Sequence, residues 1–248
     1  MEALTNGLRI EVISNGNTYH TLKDWGMAVG NNNYIGDPEQ ETTYVDIPGS
    51  STFLDLSEAL TGAPVYKSRP ISVELGGKRQ RMEWDKVISD LRNKVHGREC
   101  KIIFDNDINH YWKGRVYIEG FDRARELGTL KLNIPKAEPY KYDVLSSSEP
   151  WLWDTFSFID GVIRTIEKQI VDGEVSITIP KGNMITSPVF IASNIASSEF
   201  KVSDGANTYT LINGRNRFPK IKVCGETEVT LTFRGTGEVV IDYRGGSL

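Results

Sequence analysis

The 248-residue sequence predicts a mainly β protein built from two domains. Three observations support this prediction. Apolar residues alternate with polar ones along most of the chain, which is the period of a half-buried strand. Only one segment, Trp84–Val95, has strong helical periodicity. A short polar stretch, Ser146–Pro150, separates two strand-rich halves, so we divide the chain into residues 1–145 and 146–248.

Strands dominate the first domain. The alternation begins at Leu8–Val12 and returns at Ile71–Leu75, where Ser72 and Glu74 separate the apolar residues. It continues in Trp112–Glu119 and in Leu130–Ile134. Because side chains alternate between the two faces of a strand, each segment has one apolar face to bury.

The strong helix is predicted from apolar residues at helical spacing, followed by a glycine where a left-handed stop is needed. These residues are Trp84, Val87, Ile88, Leu91, Val95 and the terminal Gly97. A shorter helix is expected from about Thr21 to Val29. The polar stretch after it, rich in Asn, Gly, Asp and Pro, is expected to form a long loop.

The second domain is expected to be a β-sandwich. It begins with the aromatic residues Trp151, Trp153, Phe156 and Phe158. Short alternating runs follow, such as Val175–Ile179, Val229–Phe233 and Val239–Tyr243, and turn residues separate them about every ten positions. The tryptophan pair could stack on sugar rings, but residues two apart on a strand share a face, and we expect them to fill a core.

Charge and composition exclude several functions. The net charge is −4, residues 1–145 have 19 basic and 21 acidic side chains, and residues 146–248 have 10 and 12. No basic run could neutralise a row of phosphates, so specific nucleic-acid binding is not expected. No signal peptide or long apolar window is present, which predicts a soluble protein without membrane insertion. Cys100 and Cys224 fit buried thiols in a reducing cytosol.

No common catalytic motif occurs in the sequence: it has no phosphate-binding loop, no nucleophile elbow, no His-Glu-x-x-His and no paired Cys-x-x-Cys. We expect no catalytic site, cofactor or metal. His20, His96 and His110 are expected to be hydrogen-bonded structural residues. A pair of carboxylates for glycoside cleavage stays open, because the two acids may lie anywhere in the chain.

One segment resembles the start of a calcium-binding loop, with Asp105, Asp107 and Asn109 at the first positions. The sixth position would be His110 and not Gly, and the twelfth would be Val116 and not Glu, so the pattern fails. We therefore expect a hairpin turn whose Asp and Asn side chains bond their own backbone.

An ordered set of short motifs resembles the first domain of siphophage distal tail proteins. The motifs are Val45-Asp46-Ile47-Pro48-Gly49, Leu54-Asp55-Leu56, Thr61-Gly62, Val65-Tyr66, Arg69-Pro70-Ile71, Val95-His96-Gly97, the hairpin residues Asp105, Tyr111, Gly114 and Arg115, and Pro139-Tyr140-Lys141. The second domain, which ends in Val239–Leu248, is similar to the galectin-like sandwich of the short family members, which lack carbohydrate-binding insertions.

This resemblance implies a split-barrel-like first domain with one helix, followed by a galectin-like sandwich. It further implies a non-enzymatic virion protein at the tail tip, made in the bacterial cytoplasm. Six copies would form a ring between the tail-tube protein and the tail-associated hub or lysin protein, and DNA would pass through the lumen without specific binding.

Polar connections with no evident role inside one subunit are the expected subunit interface. These residues are Asn31, Asn32, Asn33, Tyr34, Asp37, Pro38, Gly49, Ser50, Ser51 and Thr52.

Other functions stay open from sequence alone. The first is a carbohydrate-binding adhesion module that acts through residues 146–248. The second is a glycan hydrolase, and the third is a related tube-tip protein of a contractile or domesticated phage-like particle.

Overall fold

A computed structural model describes residues 6–59, 61–150, 166–196 and 199–248. The chain divides into two compact units, Met1–Lys141 and Tyr142–Leu248. Among the described residues, no helix is long and apolar enough to cross a membrane. Strands predominate in both units, which confirms the mainly β prediction.

The first unit contains both helices of the described chain and eleven complete strands. Its elements are β1 (Leu8–Val12), β2 (Thr18–His20), α1 (Thr21–Trp25), β3 (Ala28–Val29), β4 (Tyr34–Ile35), β5 (Tyr44–Asp46), β6 (Phe53–Asp55), β7 (Arg69–Lys78), α2 (Trp84–Val95), β8 (Glu99–Phe104), β9 (Asp107–Arg115), β10 (Tyr117–Ala124) and β11 (Leu127–Ala137). The short strand β12 (Lys141–Asp143) lies where the two units meet in sequence.

Two antiparallel sheets enclose the core of the first unit. One has the order β9-β8-β1-β2, and the other has the order β10-β11-β7-β3 with β4 also on β7. The alternation predicted from sequence is present: Leu8, Ile10 and Val12 are fully buried, while Arg9 between them is exposed. The predicted strand Trp112–Glu119 is in fact two strands, because the chain leaves the first sheet and enters the second at the buried Val116.

Helix α2 confirms the predicted helix. Trp84, Ile88, Leu91 and Val95 are buried, and Gly97 adopts a left-handed φ of 72° just beyond the helix. The indole of Trp84 packs against the backbone of Gly77 in β7 and Gly128 in β11, which are cross-strand partners. A Cβ added at Gly128 would lie 2.8 Å from the indole, so only glycine leaves room for this ring.

The segment that follows the first helix differs from the sequence expectation. Helix α1 ends at Trp25, because Gly26 turns left-handed with φ 61°, and Ala28–Val29 then pairs with β7. The expected helix to Val29 is therefore four residues too long. The following polar stretch is not entirely a loop either, since Tyr34–Ile35 also pairs with β7.

In the second unit six of the described strands form one connected sheet. They are β13 (Gln169–Ile179), β14 (Val189–Ser193), β15 (Lys201–Ser203), β16 (Thr208–Thr210), β17 (Gly214–Arg217) and β18 (Val229–Asp242). The short strand β19 (Gly246–Ser247) lies outside this sheet. The 14-residue β18 lies at the centre: β13 pairs along it from Val229 to Val239, and β15 and β14 pair with successive parts of it. The galectin-like sandwich stays a prediction. Trp151, Trp153, Phe156 and Phe158 lie outside the described residues.

The polar connector Ser146–Pro150 is more firmly held than its composition suggested. Ser146 and Ser147 are buried. Ser147 Oγ donates to the Ile241 carbonyl at 2.9 Å and accepts the Tyr243 N–H at 2.8 Å. These bonds fix the serine to the end of β18, so it is an integral part of the second unit and not a free linker.

One buried charge lies at the start of β7. Arg69 is 5% exposed and its guanidinium stacks on Trp112, 4.4 Å from the ring centroid. Nη1 donates to the Gly36 carbonyl at 3.3 Å, whereas Nε and Nη2 have no hydrogen-bond partner among the described residues. Burial lowers the pKa of this guanidinium, and nearby Asp37 partly opposes that change.

The packing of α2 against the sheet predicts that truncating a buried side chain of the helix leaves a cavity and lowers stability. Leu91 is fully buried, so Leu91→Ala is expected to lower the free energy of unfolding by about 2–5 kcal/mol. The exposed Asn93→Ala on the same helix is the control, and we expect a change within about 0.5 kcal/mol. Urea unfolding measures both, and equal midpoints would show that Leu91 does not pack as described.

The poorly paired guanidinium of Arg69 leads to the prediction that removing this buried charge does not destabilise the protein. Replacing a poorly paired buried ion with an apolar side chain of similar length is often neutral or stabilising. We therefore expect Arg69→Met to keep or raise the melting temperature, and Arg69→Lys, which keeps the charge but loses the flat stacking group, to lower it. Differential scanning calorimetry measures both variants. A melting temperature of Arg69→Met well below the parent would show that the guanidinium is satisfied.

Candidate functional site

The three histidines have structural roles, as predicted. His20 Nδ1 accepts backbone N–H groups of Leu22 and Lys23 at the start of α1. His96 Nδ1 accepts the Ile118 N–H at 3.0 Å. His110 Nδ1 lies 2.6 Å from Asp107. No cluster of metal-binding side chains is found in the parts of the chain that the structure describes.

The Asp105 segment forms the predicted hairpin between β8 and β9, but its carboxylates do not bond their own turn. Asp105 accepts the N–H of Gly7 at 2.8 Å and lies 3.1 Å from His20 Nε2. Asp107 binds His110 and Lys141, and these bonds hold the pKa of its carboxyl below the usual value. The aspartates therefore tie distant segments together, which local sequence could not indicate.

Both cysteines are buried thiols, as predicted. Burial raises the pKa of the Cys100 thiol to about 11. Since the thiolate is the nucleophile, a thiol with so high a pKa is inert at neutral pH.

The strongest candidate for a functional surface is a long hairpin in the first unit, residues 37–68, described except for Leu60. We call it the arm. Its base is a ladder in which Lys67 N donates to the Glu39 carbonyl and Glu41 N to the Val65 carbonyl, both at 2.8 Å. Further along, β5 pairs with β6, so that Tyr44 lies opposite Asp55 and Val45 opposite Leu54.

Strands β5 and β6 are exposed on both faces. All six of their residues are exposed, including Phe53 at 59% and Tyr44 at 54%. The exposed large apolar side chains of the arm are Tyr44, Val45, Ile47, Phe53, Leu54, Leu56 and Val65. The rings of Tyr44 and Phe53 make an edge contact at 4.8 Å. An isolated two-stranded hairpin is at best marginally stable, and a cluster of exposed apolar side chains is typical of an interaction site.

The tip of the arm contains the predicted Gly49–Thr52 turn. Gly49 has a φ of 79°, Ser50 N donates to the Ile47 carbonyl, and Ser50 Oγ bonds Thr52 Oγ1 at 2.8 Å. All of residues 49–52, including Ser51, are exposed. Their location at the far end of a protruding hairpin favours the predicted interface role, which stays a prediction.

The other predicted interface residues lie before the arm or at its base. Asn32 donates to Glu74 at 2.8 Å and Asn33 accepts the Glu74 N–H, so these two residues have bonds within their own subunit. Asn31 and Tyr34 are exposed, as is Asp37, while Pro38 is half-buried. Their role between subunits also stays a prediction.

The apolar residues of β5 and β6 are not among the interface residues predicted from sequence. Val45 and Leu54 were recognised only as parts of a family resemblance. The available signal was that Tyr44-Val45 and Phe53-Leu54 place apolar residues on both faces of a short hairpin flanked by polar turns. A strand that is apolar on both faces needs both faces covered, whereas all six residues of β5 and β6 are exposed among the residues that the structure describes.

No protein-family model matches the chain, and no curated protein matches its sequence. Eight solved chains match its structure. One is the Dit protein of phage SPP1, described as a paradigm of the hub adsorption apparatus of phages that infect Gram-positive bacteria. It is 13% identical in sequence, with a TM-score of 0.58, and the match covers 96% of this chain and 98% of that one. Over nearly its whole length, the chain therefore has the fold of a phage adsorption-apparatus protein.

Proposed function

We propose that this chain is a structural protein of a siphophage tail tip. Six copies form a ring at the distal end of the tail tube and connect the tube to the hub or tail-associated lysin. The observation that carries the proposal is the exposed apolar arm on a fold shared, over 96% of the chain, with the SPP1 Dit protein. The ordered sequence motifs between Val45 and Lys141 independently support the same class of protein.

The arm supports assembly and not catalysis. In a ring, one subunit offers a surface to the next that differs from the surface it receives, and the contact closes after a fixed number of copies. A hairpin that extends beyond its own core and exposes aromatic rings suits the donor side of such a contact. Burial of those rings by a neighbour would supply both the apolar contact and the missing support for β5 and β6.

The lumen of the proposed ring must let DNA slide. On the solvent side of the second sheet, Glu74, Lys131 and Glu119 form a cross-strand row with one more acid than base. If this row faces the lumen, its net negative charge repels DNA or interacts with it weakly. The whole ring would carry a formal charge of about −24, six times the −4 of one chain.

We predict that the purified chain forms closed rings of six. The expected result is ring-shaped particles in negative-stain images and a single hexamer mass by native mass spectrometry, because cyclic contacts disfavour open intermediates. The fragment of residues 1–145 should retain this behaviour and the fragment of residues 146–248 should stay monomeric. Rings formed only by residues 146–248, or release of sugars from host cell walls, would contradict the assignment.

A second prediction concerns DNA. Assembled rings should retain no duplex DNA in a filter-binding assay at about 0.15 M salt, because the chain offers no basic run to replace phosphate counterions. A charge-reversed variant, Glu74→Lys with Glu119→Lys, should increase retention if this row faces the lumen. Tight binding of DNA by the parent ring would contradict a lumen through which DNA slides freely.

A further inference from the structure

Charge is distributed very unevenly within the first domain. The arm, residues 37–68, contains six carboxylates and a single lysine, a net charge of −5. The rest of residues 1–145 contains 18 basic and 15 acidic side chains, a net charge of +3. The arm is therefore both apolar and acidic, and a surface that receives it should combine apolar anchors with cations.

A surface of this kind lies in the first unit, at the end of β7 farthest from the arm. It consists of residues 78–86 and 122–127, and we call it the arginine patch. Cross-strand pairing of Lys78 with Leu127 joins the two segments, and Arg79 N and Trp84 Nε1 both donate to the Glu126 carbonyl. The patch contains six basic and four acidic residues.

The arginine patch exposes two apolar side chains among its charges. Met82 is 91% exposed and Leu127 is 58% exposed. Methionine and arginine are both enriched at protein interfaces, where a flexible apolar side chain can adapt to a partner. These two residues can anchor the rings of Tyr44 and Phe53 in the way that apolar centres anchor other interfaces.

Several cations of the arginine patch are available to a partner. Arg81 and Arg125 are exposed and make no ion pair with any described residue. Arg123 lies 3.6 Å from Asp85, and Lys78 lies 3.3 Å from Glu126, both at exposed positions where ion pairs contribute little. A carboxylate-rich partner could therefore bind here without breaking strong bonds.

We propose that the arginine patch of one copy receives the arm of the next copy. The inference rests on the proposed ring and names the surface that the arm contacts. Arg69 is the first residue of β7, beside the base of the arm, and Lys78 is its last. Ten residues of strand separate the two surfaces by roughly 30 Å. Donor and receiver thus lie at different places on one subunit, as a head-to-tail ring requires.

Reversing charge on each side separately tests the contact. The arm variant is Glu41→Lys with Asp46→Lys, and the patch variant is Arg81→Glu with Arg125→Glu; all four residues are exposed. Each variant alone brings like charges together, so we expect the concentration for half-maximal ring formation to rise at least about tenfold, equivalent to 1.4 kcal/mol. Melting temperatures should stay near the parent value, because no buried contact is lost.

Mixing the two variants gives the decisive result. The acidic arm of the patch variant fits the unaltered patch of the arm variant, and the altered arm and patch fit each other. An equimolar mixture should therefore restore hexamers with three copies of each variant, measured by native mass spectrometry. Matched controls reverse two exposed charges in the second unit: Arg217→Glu with Lys220→Glu, and Glu226→Lys with Glu228→Lys. Both controls should assemble like the parent.

The outcomes separate this inference from the proposed function. If the parent forms rings and the patch variant forms them equally well, or if the mixture stays unassembled, the arginine patch is not the receiver, although the ring stands. If the parent forms no ring, the proposed function and this inference fall together. Rescue in the mixture, with the controls unchanged, would establish the contact.

Discussion

The contact that the first unit depends on is the indole of Trp84 against paired glycines of the second sheet. Gly77 and Gly128 face each other across β7 and β11. A Cβ added at Gly128 would lie 2.8 Å from the ring, and one added at Gly77 would lie 3.2 Å from the ring and 2.5 Å from the Gly26 carbonyl. The indole N–H donates to the Glu126 carbonyl at 3.2 Å, and the indole lies against Phe121 with ring centroids 5.6 Å apart. This contact fixes the N-terminal end of α2. The helix then buries Ile88, Leu91 and Val95 in the core.

The same contact determines the shape of the surface outside it. Because Trp84 is bonded to the turn between β10 and β11, residues 78–86 and 122–127 are held side by side, with Met82 outside. A substitution at Gly77 or Gly128 would therefore act twice, since it would displace the helix from the core and separate the two halves of the arginine patch. Core packing and the proposed assembly surface are linked by a single side chain.

Much of the fold was predictable because its causes are local in sequence. Alternation indicated β1, β7 and β11, and helical spacing with Gly97 indicated α2. The errors arose where distant partners decide the structure. Val116 divides a continuous alternating run because the chain changes sheets there, and Ser147 is buried because β18, almost a hundred residues later, supplies its hydrogen-bond partners.

The candidate site was only partly predictable, for a different physical reason. Periodicity identifies a buried face, and every residue of β5 and β6 is exposed. The polar tip, Gly49–Thr52, was recognised from turn chemistry, whereas Tyr44 and Phe53 look like ordinary strand residues until the hairpin is seen to stand alone. The sequence likewise does not indicate that Arg81 and Arg125 share a surface, because their proximity follows from the pairing of β7 with β11.

An exposed apolar hairpin must also be prevented from pairing indiscriminately before assembly. In the arm, Tyr44 lies opposite Asp55 and Phe53 opposite Asp46, so that each exposed ring faces a carboxylate across the strand pair. Like charges on two arms repel one another, and charged residues on edge strands are a common protection against aggregation. A basic surface removes that repulsion, so the carboxylates that keep two arms apart are the groups that would direct one arm to an arginine-rich receiver. In the proposed ring, the same six acids would both keep free arms apart and direct each arm to its receiver.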